Sequence, residues 1–168
     1  MSWLRRRRRS ARVVLLDPAG RVLLFRGEST ADSVGGPSWY LPGGGILPFE
    51  SVEAAARREL REETGIRDMT LGPVIGQRAD VSFTFRGRRV VQDEWYVAGR
   101  VPTPHMGTGR HGDGERRAVA AHRWWTRDEL SAGDRHVVPP EIVGLVQRAA
   151  AWALADAGVV REVELPDL

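Results

Sequence analysis

The segment from residue 44 to residue 66, GGILPFESVEAAARRELREETGI, restricts the fold of this chain more than any other part of it. Ser51 is a favoured residue for the N-cap of a helix, and Gly65 lies where a helix-stopping glycine belongs. We therefore predict the first helix from Ser51 to Thr64. Glycines precede this helix at a short distance in the sequence. A flexible glycine loop therefore leads into a charged helix.

Three carboxylates of the predicted helix fall on the side that a helix normally turns inward. At about 100° per residue, Glu59 and Glu63 point to the same side as the small apolar Ala56, and Glu62 borders that side. The arginines fall on the other side: Arg57, Arg58 and Arg61. Like charges three and four residues apart destabilise a helix. Mg²⁺ or Mn²⁺ would remove that penalty, since hard cations prefer carboxylate oxygens.

A second interpretation of the helix needs no ligand. Glu53 with Arg57, and Arg58 with Glu62, have the spacing of ion pairs on a helix surface. The acidic residues alone do not decide between the two interpretations. The glycines at 43–45 favour a metal site, because glycine lets the backbone approach a ligand closely and exposes its carbonyl and amide groups.

The spacing of these residues, G-x5-E-x7-R-E-U-x-E-E-x-G-U with U a bulky aliphatic residue, resembles the signature of the Nudix hydrolases. All nine positions match: Gly44, Glu50, Arg58, Glu59, Leu60, Glu62, Glu63, Gly65 and Ile66. The resemblance implies an α/β protein with the Nudix fold, an α/β/α sandwich around a mixed central β-sheet. The signature helix would pack against that sheet.

The resemblance also implies an activity, which is hydrolysis of a pyrophosphate bond with Mg²⁺ or Mn²⁺. The substrate would be a nucleoside diphosphate linked to another moiety, such as a nucleotide sugar, an ADP-ribose-like compound, a dinucleoside polyphosphate or a (d)NTP. The signature does not choose among these substrates.

Residue roles follow from the same resemblance. Glu59, Glu62 and Glu63 would bind the metal, with the backbone carbonyl of Gly43 as a further ligand. Glu59 would alternatively act as the base that deprotonates water. Arg58 would hold the glutamates in place through ion pairs.

The remaining signature positions have supporting roles in this scheme. Glu50 would contribute hydrogen bonds around the metal ligands. Gly65 would allow a sharp exit from the helix, and Leu60 and Ile66 would belong to the core.

Some members of the family use a further acid from a distant loop, as a metal ligand or as a base. Glu115 is the first candidate here and Asp113 the second, since both end the predicted loop over 102–114. His105 and His111 lie in the same loop, and we interpret both as solvent-exposed.

Residues that select the substrate lie outside the signature. Arg26 and Glu28 begin a polar loop over 26–38 that would hold the second moiety of the substrate. Trp39 and Tyr40 are candidates to stack on a base, although aromatic residues of strands usually belong to the core.

Composition limits the alternatives. The chain contains no cysteine, which excludes disulfides, thiolate metal sites and thiol catalysis. No apolar run reaches the roughly 18 residues that a membrane span needs, so we expect a cytoplasmic protein and no membrane partner. The net charge of +3 is mild, so a small nucleotide is expected as the partner rather than nucleic acid. A homodimer remains open.

One alternative keeps the fold but not the reaction. A catalytically weak Nudix-fold module would bind a ligand or RNA, with the Arg5–Arg9 run as a contact. Such a module would be expected to lose a signature glutamate, and this chain retains all of them.

The chain is long and apolar enough for one domain, with 168 residues and 42% hydrophobic content. We expect residues 1–10 to form a flexible basic extension, 11–158 a single Nudix domain and 159–168 a tail. Strands are predicted at 12–16, 21–25, 39–41, 74–75, 80–85, 90–100 and 117–125. A short helix is predicted after the capping box at 126–129, and a longer helix from Pro139 to about Ala157.

Overall fold

The computed structural model describes residues 7–27, 37–85, 88–106, 121–133 and 136–158, and at 83–85 and 88 the backbone alone. In chain order the elements are β1 (Arg8–Leu16), β2 (Val22–Gly27), β3 (Ser38–Tyr40), β4 (Gly43–Gly45), α1 (Val52–Thr64), β5 (Thr70–Phe85), β6 (Arg88–Arg100), β7 (Ala121–Trp125), α2 (Arg127–Ser131), β8 (Val137–Val138) and α3 (Ile142–Asp156).

The strands form one mixed sheet with the order β5-β6-β1-β2-β3-β8, while β4 pairs with β1 and β7 with β2. β1 runs parallel to β6, from Arg8 opposite Gln92 to Leu16 opposite Arg100. The turn between β1 and β2 pairs Leu16 with Val22. Beyond it β1 pairs with the glycine strand β4 instead. The glycine strand is therefore held directly against the middle of the sheet.

Helices cover both faces of this sheet. On one face, Ala55, Ala56 and Leu60 of α1 pack with Val13 and Leu15 in a buried cluster. On the other face, α2 and α3 pack on the alternate residues of β1, and that cluster includes Val14, Leu16, Leu130, Ile142, Leu145 and Val146. Successive residues of a strand point to opposite faces, so β1 supplies both cores. The predicted α/β/α sandwich with a mixed sheet is confirmed.

The caps of the helices agree with the sequence. Ser51 Oγ accepts a hydrogen bond from Ala54 N at 3.1 Å, and Gly65 ends α1 with φ of 69°. Thr126 and Glu129 form the predicted capping box of α2. α3 begins at Ile142, three residues after the predicted start at Pro139, and the two prolines lie in the turn before it. Among the described residues, no helix has the length and apolar character needed to cross a membrane.

The strands differ more from prediction. β1 begins at Arg8, four residues before the predicted start at residue 12, because the pairing with β6 continues to that end. The runs at 74–75 and 80–85 belong to one strand of 16 residues. Its register shifts against β6 interrupt the apolar alternation, as β-bulges do. The short strands β4 and β8 were missed, since three glycines carry no strand pattern.

Some predicted features lie outside the described residues. These are residues 1–6 of the basic extension, residues 28–36 of the polar loop, residues 107–114 of the long loop, residues 117–120 of the strand before Trp125, and the tail over 159–168.

Gly43 is the position where the fold depends most clearly on glycine. Its φ is +135°, and a Cβ there would lie 2.1 Å from the backbone oxygen of Ala11. We expect Gly43→Ala to lower the free energy of unfolding by about 2 kcal/mol or more, through backbone strain and overlap. Gly144 in α3 is a matched control, because an added Cβ meets nothing closer than Arg148 Nη1 at 3.7 Å. Gly144→Ala should stabilise by about 0.5–1 kcal/mol.

Urea unfolding of both variants measures this difference. Equal effects at the two positions would contradict the importance of the β4 contact.

Candidate active site

The glycine strand and α1 meet through the carboxylates of the helix. Gly43 N donates a hydrogen bond to Glu63 Oε2 at 2.8 Å. Gly44 lies so close to Glu59 that a Cβ there would be 2.5 Å from the carboxyl carbon. Glycine at both positions therefore allows the backbone of β4 to lie directly against two signature glutamates.

Arg58 joins the same elements from the other side. Its guanidinium donates to both carboxylate oxygens of Glu50 at 2.9 Å, to Glu59 Oε1 at 2.7 Å and to Gly45 O at 2.8 Å. Glu62 Oε2 is 3.6 Å from Arg58 Nη1. One cation thus connects three glutamates and the glycine strand, which is the geometry expected of Arg58.

The helical projection was wrong about the direction of Arg58. Its Cα lies on the side opposite the carboxylates, but its long side chain folds back toward them and is only 26% exposed. The projection gives the direction in which a side chain leaves the helix, but not the position of the end of a long side chain. Arg58 is therefore part of the candidate site rather than of the solvated face.

These contacts shift the pKa values of the groups involved. The hydrogen bonds from Arg58, and then that from Leu47 N, lower the pKa of Glu50 to about 2. The hydrogen bond to Glu50 raises the pKa of Arg58, burial opposes that rise, and Glu59 adds to it. Both groups are ionised at neutral pH, so the arrangement is held by charge.

Both interpretations of the acidic helix find contacts in the structure. The surface ion pairs are present, with Glu53 3.2 Å from Arg57 and Glu62 3.6 Å from Arg58. The Glu59 side chain is 16% exposed and that of Glu62 is 56% exposed. Exposed pairs contribute little stability. The close approach of β4 to Glu59 and Glu63 is the feature that a surface helix would not require.

Comparison with known proteins decides the family. The chain matches the family model described as NUDIX domain over residues 6–149. The chain belongs to the Nudix family. Members of this family generally need divalent metal ions.

Several relatives match this chain over about a third of its length. An RNA pyrophosphohydrolase of Caulobacter vibrioides is 46% identical over 59 residues, which is 35% of this chain and 33% of that protein. The match thus spans about a third of the length of that relative. An RNA pyrophosphohydrolase of Nitrobacter winogradskyi is 26% identical over 155 residues, covering 87% of this chain and 91% of the relative.

A solved structure supports the fold. The MutT protein from Methanosarcina mazei Go1 superposes with a TM-score of 0.57 at 21% identity, covering 90% of this chain and 99% of that one. At this level of identity the likeness concerns the Nudix fold alone.

The donor atoms of the Nudix helix α1 fit a divalent cation. Carboxylate oxygens of Glu59, Glu62 and Glu63, together with the carbonyl of Gly43, are the hard ligands that Mg²⁺ and Mn²⁺ prefer. Within the described ranges, however, no three acidic, histidine or cysteine side chains converge closely enough to share one ion. Glu59 is turned toward Arg58, with which it forms an ion pair at 2.7 Å.

The supporting signature residues occupy the predicted places. Leu60 and Ile66 are buried, with 0% and 7% exposure. Glu50 Oε2 accepts a hydrogen bond from Leu47 N at 2.9 Å, which fixes the turn before the Nudix helix. Gly65 adopts the left-handed conformation at the helix end.

The predicted substrate residues are less well placed. Trp39 and Tyr40 are each 8% exposed. Trp39 packs edge-on against Trp125 in the core beneath α3, and Tyr40 packs edge-on against Phe25 beneath α1. Both rings therefore belong to the core.

The remaining candidates are spread over other parts of the chain. Arg26 is exposed on β2, and His105 is exposed as interpreted from the sequence. Glu28, Asp113, Glu115 and His111 lie outside the described residues.

Two charged residues near the site were not predicted from the sequence. Arg12 Nη1 donates to Gly43 O at 3.0 Å, and Arg12 Nε is 3.6 Å from Glu94 Oε1. The side chains are 12% and 10% exposed. Charged residues are almost never buried unless they are paired. A charged residue inside each of two strand-like runs was the signal that could have identified them.

The Glu50–Arg58 contact predicts a pH dependence of stability. The pKa of Glu50 is lowered to about 2 in the folded chain, whereas an unfolded glutamate titrates near about 4.3. Its contribution is therefore complete above about pH 4.3 and is lost as the pH falls toward 2. We expect Glu50→Gln to cost about 2 kcal/mol at pH 6 and much less at pH 2.5.

Urea unfolding at both pH values, without metal, measures the effect. Glu53→Gln is the control, since the Glu53 side chain is 61% exposed and an exposed pair contributes little. A penalty for Glu50→Gln that is constant with pH would exclude the ion pair as its cause.

Proposed function

We propose that this protein hydrolyses a pyrophosphate bond in a nucleoside diphosphate derivative, with Mg²⁺ or Mn²⁺ as the cofactor. The observation that carries the proposal is the contact of Glu63 with Gly43 N at 2.8 Å. It joins a carboxylate-rich helix to the backbone of the glycine strand. Membership of the Nudix family supports the same reaction class.

The chain has a defined part for each step. Glu59, Glu62, Glu63 and Gly43 O would hold the cation, which neutralises pyrophosphate charge and lowers the pKa of a bound water. Arg58 positions Glu59 and Glu62 by ion pairs. The attacking water must lose its proton, and Glu59 is the proposed acceptor, with Glu115 and then Asp113 as alternatives. Positioning and charge compensation would then account for most of the catalysis.

A small nucleotide is the proposed substrate class. Part of the basic N-terminal run is already occupied: Arg7 lies 2.7 Å from Asp80 and 3.0 Å from Asp93. Arg9 lies over the ring of Trp95 at 5.1 Å. The two ion pairs of Arg7 reduce the positive charge available to a polyanion. Arg26 and Glu28 remain the proposed contacts to the second moiety, and we place the reaction in the cytoplasm.

RNA is the second candidate substrate, because two relatives are named RNA pyrophosphohydrolases. The mild net charge of +3 favours weak binding of RNA, because contacts of basic side chains with phosphates supply much of the affinity of a protein for nucleic acid. The alternative of a ligand-binding module without turnover stands apart from both candidates.

A substrate panel distinguishes these possibilities. Purified protein is incubated with ADP-ribose, UDP-glucose, diadenosine tetraphosphate, 8-oxo-dGTP and a 5′-triphosphorylated RNA, each with Mg²⁺, with Mn²⁺ or with EDTA. We expect metal-dependent release of a phosphate or nucleotide product from one of the small nucleotides. Turnover of RNA alone would select the second candidate, and binding without any turnover would select the module.

Substitution of Glu63 tests the proposed mechanism. Glu63→Gln removes the charge but keeps an oxygen that accepts the Gly43 N–H bond, so the fold should survive. We expect kcat to fall at least about 100-fold, since loss of metal-borne charge stabilisation costs several kcal/mol. The matched control is Glu53→Gln on the same helix, whose wild-type side chain is 61% exposed.

Initial rates at saturating substrate measure kcat, and circular dichroism verifies the fold. An activity indifferent to Glu63→Gln, or to EDTA, would refute the mechanism.

A further inference from the structure

A buried polar cluster lies on the face of the sheet opposite the Nudix helix. It consists of Arg12 on β1 and of Gln92, Glu94 and Tyr96 on β6. Tyr96 belongs to the core beneath α3, and β1 and β6 pair with Arg12 opposite Tyr96 and Ser10 opposite Glu94. The cluster thus extends the α3 side of the sheet with charged groups where apolar residues would be expected.

Glu94 is the centre of this cluster. Gln92 Nε2 donates to Glu94 Oε1 at 2.7 Å, and Tyr96 OH donates to Glu94 Oε2 at 2.6 Å. Arg12 Nε lies 3.6 Å from Oε1, and Arg78 on β5 is the cross-strand partner of Glu94. A buried carboxylate is tolerated only with such compensation. Glu94 is therefore fixed, and it fixes the guanidinium of Arg12 in turn.

Arg12 reaches from this cluster to the glycine strand. Its Nη1 donates to Gly43 O at 3.0 Å, while Gly43 N donates to Glu63 Oε2. Two charged side chains from opposite faces of the sheet thus hold both polar backbone groups of Gly43. Glycine has no side chain to restrict its backbone. The hydrogen bonds with Arg12 and Glu63 therefore fix the orientation of the Gly43 backbone.

We infer that Arg12 and Glu94 form a positioning pair that fixes the Gly43 carbonyl and thereby sets the affinity for the divalent cation. The inference rests on the proposed function, in which that carbonyl is a metal ligand. A carbonyl oxygen has two lone pairs, so the bond from Arg12 leaves one for a cation. Groups that orient metal ligands in this way typically change metal affinity by about 10–100-fold when they are removed.

The test is Mn²⁺ binding without substrate, measured by isothermal titration calorimetry on the full chain. We expect Arg12→Met and Glu94→Gln each to raise the Kd for Mn²⁺ by about 10-fold or more. Because the two residues act as one unit, the double variant should bind Mn²⁺ no more weakly than the weaker single variant. The double variant also leaves no buried charge unpaired, so it remains informative if Arg12→Met does not fold.

Two further variants separate positioning from general stability. Leu145→Ala removes buried apolar contacts of α3 on the same side of the sheet and should lower Tm while leaving the Kd for Mn²⁺ unchanged. Arg12→Lys retains the charge and should recover part of the affinity lost in Arg12→Met.

The outcomes are distinct. An unchanged Kd for Mn²⁺ in the folded Arg12 and Glu94 variants would overturn the inference, even if their Tm falls. Tighter binding would also overturn it, since Arg12 would then compete with the metal. Wild-type protein that turns over with metal while these variants bind Mn²⁺ normally leaves the proposed function intact. Wild-type protein that neither binds Mn²⁺ nor turns over would refute both.

Discussion

The contact between the carboxylates of α1 and the glycine strand β4 is the interaction on which the rest of the site depends. Glu63 accepts the hydrogen bond of Gly43 N, and Glu59 occupies the space that a side chain at position 44 would fill. Arg58 closes the arrangement through Gly45 O. Without this contact the acidic helix would be a surface helix with ordinary ion pairs. With it, the carboxylates of Glu59 and Glu63 lie against the backbone of the glycine strand.

The sheet makes that contact possible because β1 and β2 are paired only near the turn that joins them. β1 leaves β2 after Leu16 and Val22, and β4 pairs with the exposed edge at Ser10, Ala11 and Arg12. β1 also contributes to both buried cores. The site is therefore anchored to a strand that is buried over most of its length.

Local features of the sequence predicted local structure well. The bounds and caps of α1 follow from Ser51 and Gly65, and the capping box of α2 follows from Thr126 and Glu129, because these signals act within one helical turn. The reach of Arg58 did not follow, since a projection gives the direction of Cα and not the path of a long side chain. The signature glutamates were recognisable because residues three and four positions apart in the sequence are neighbours on the surface of a helix.

Long-range pairing was beyond the sequence pattern. β4 became a strand only because β1 offers an edge to it, and three glycines carry no alternation that would predict this. The parallel register of β1 with β6 brings Arg12 near Glu94, and neither residue has a local signal for the other. Trp39 and Tyr40 were expected near the substrate, yet their burial follows from the cores that form on both faces of the sheet.

The central claim is that the Nudix helix and the glycine strand together hold a divalent cation. A crystal soaked in Mn²⁺ and measured at the manganese absorption edge tests this claim most directly. The account predicts an anomalous peak bounded by the carboxylates of Glu59 and Glu63 and by the carbonyl of Gly43. A bound Mn²⁺ located elsewhere on the protein, with Arg58 still paired to Glu59, would contradict it.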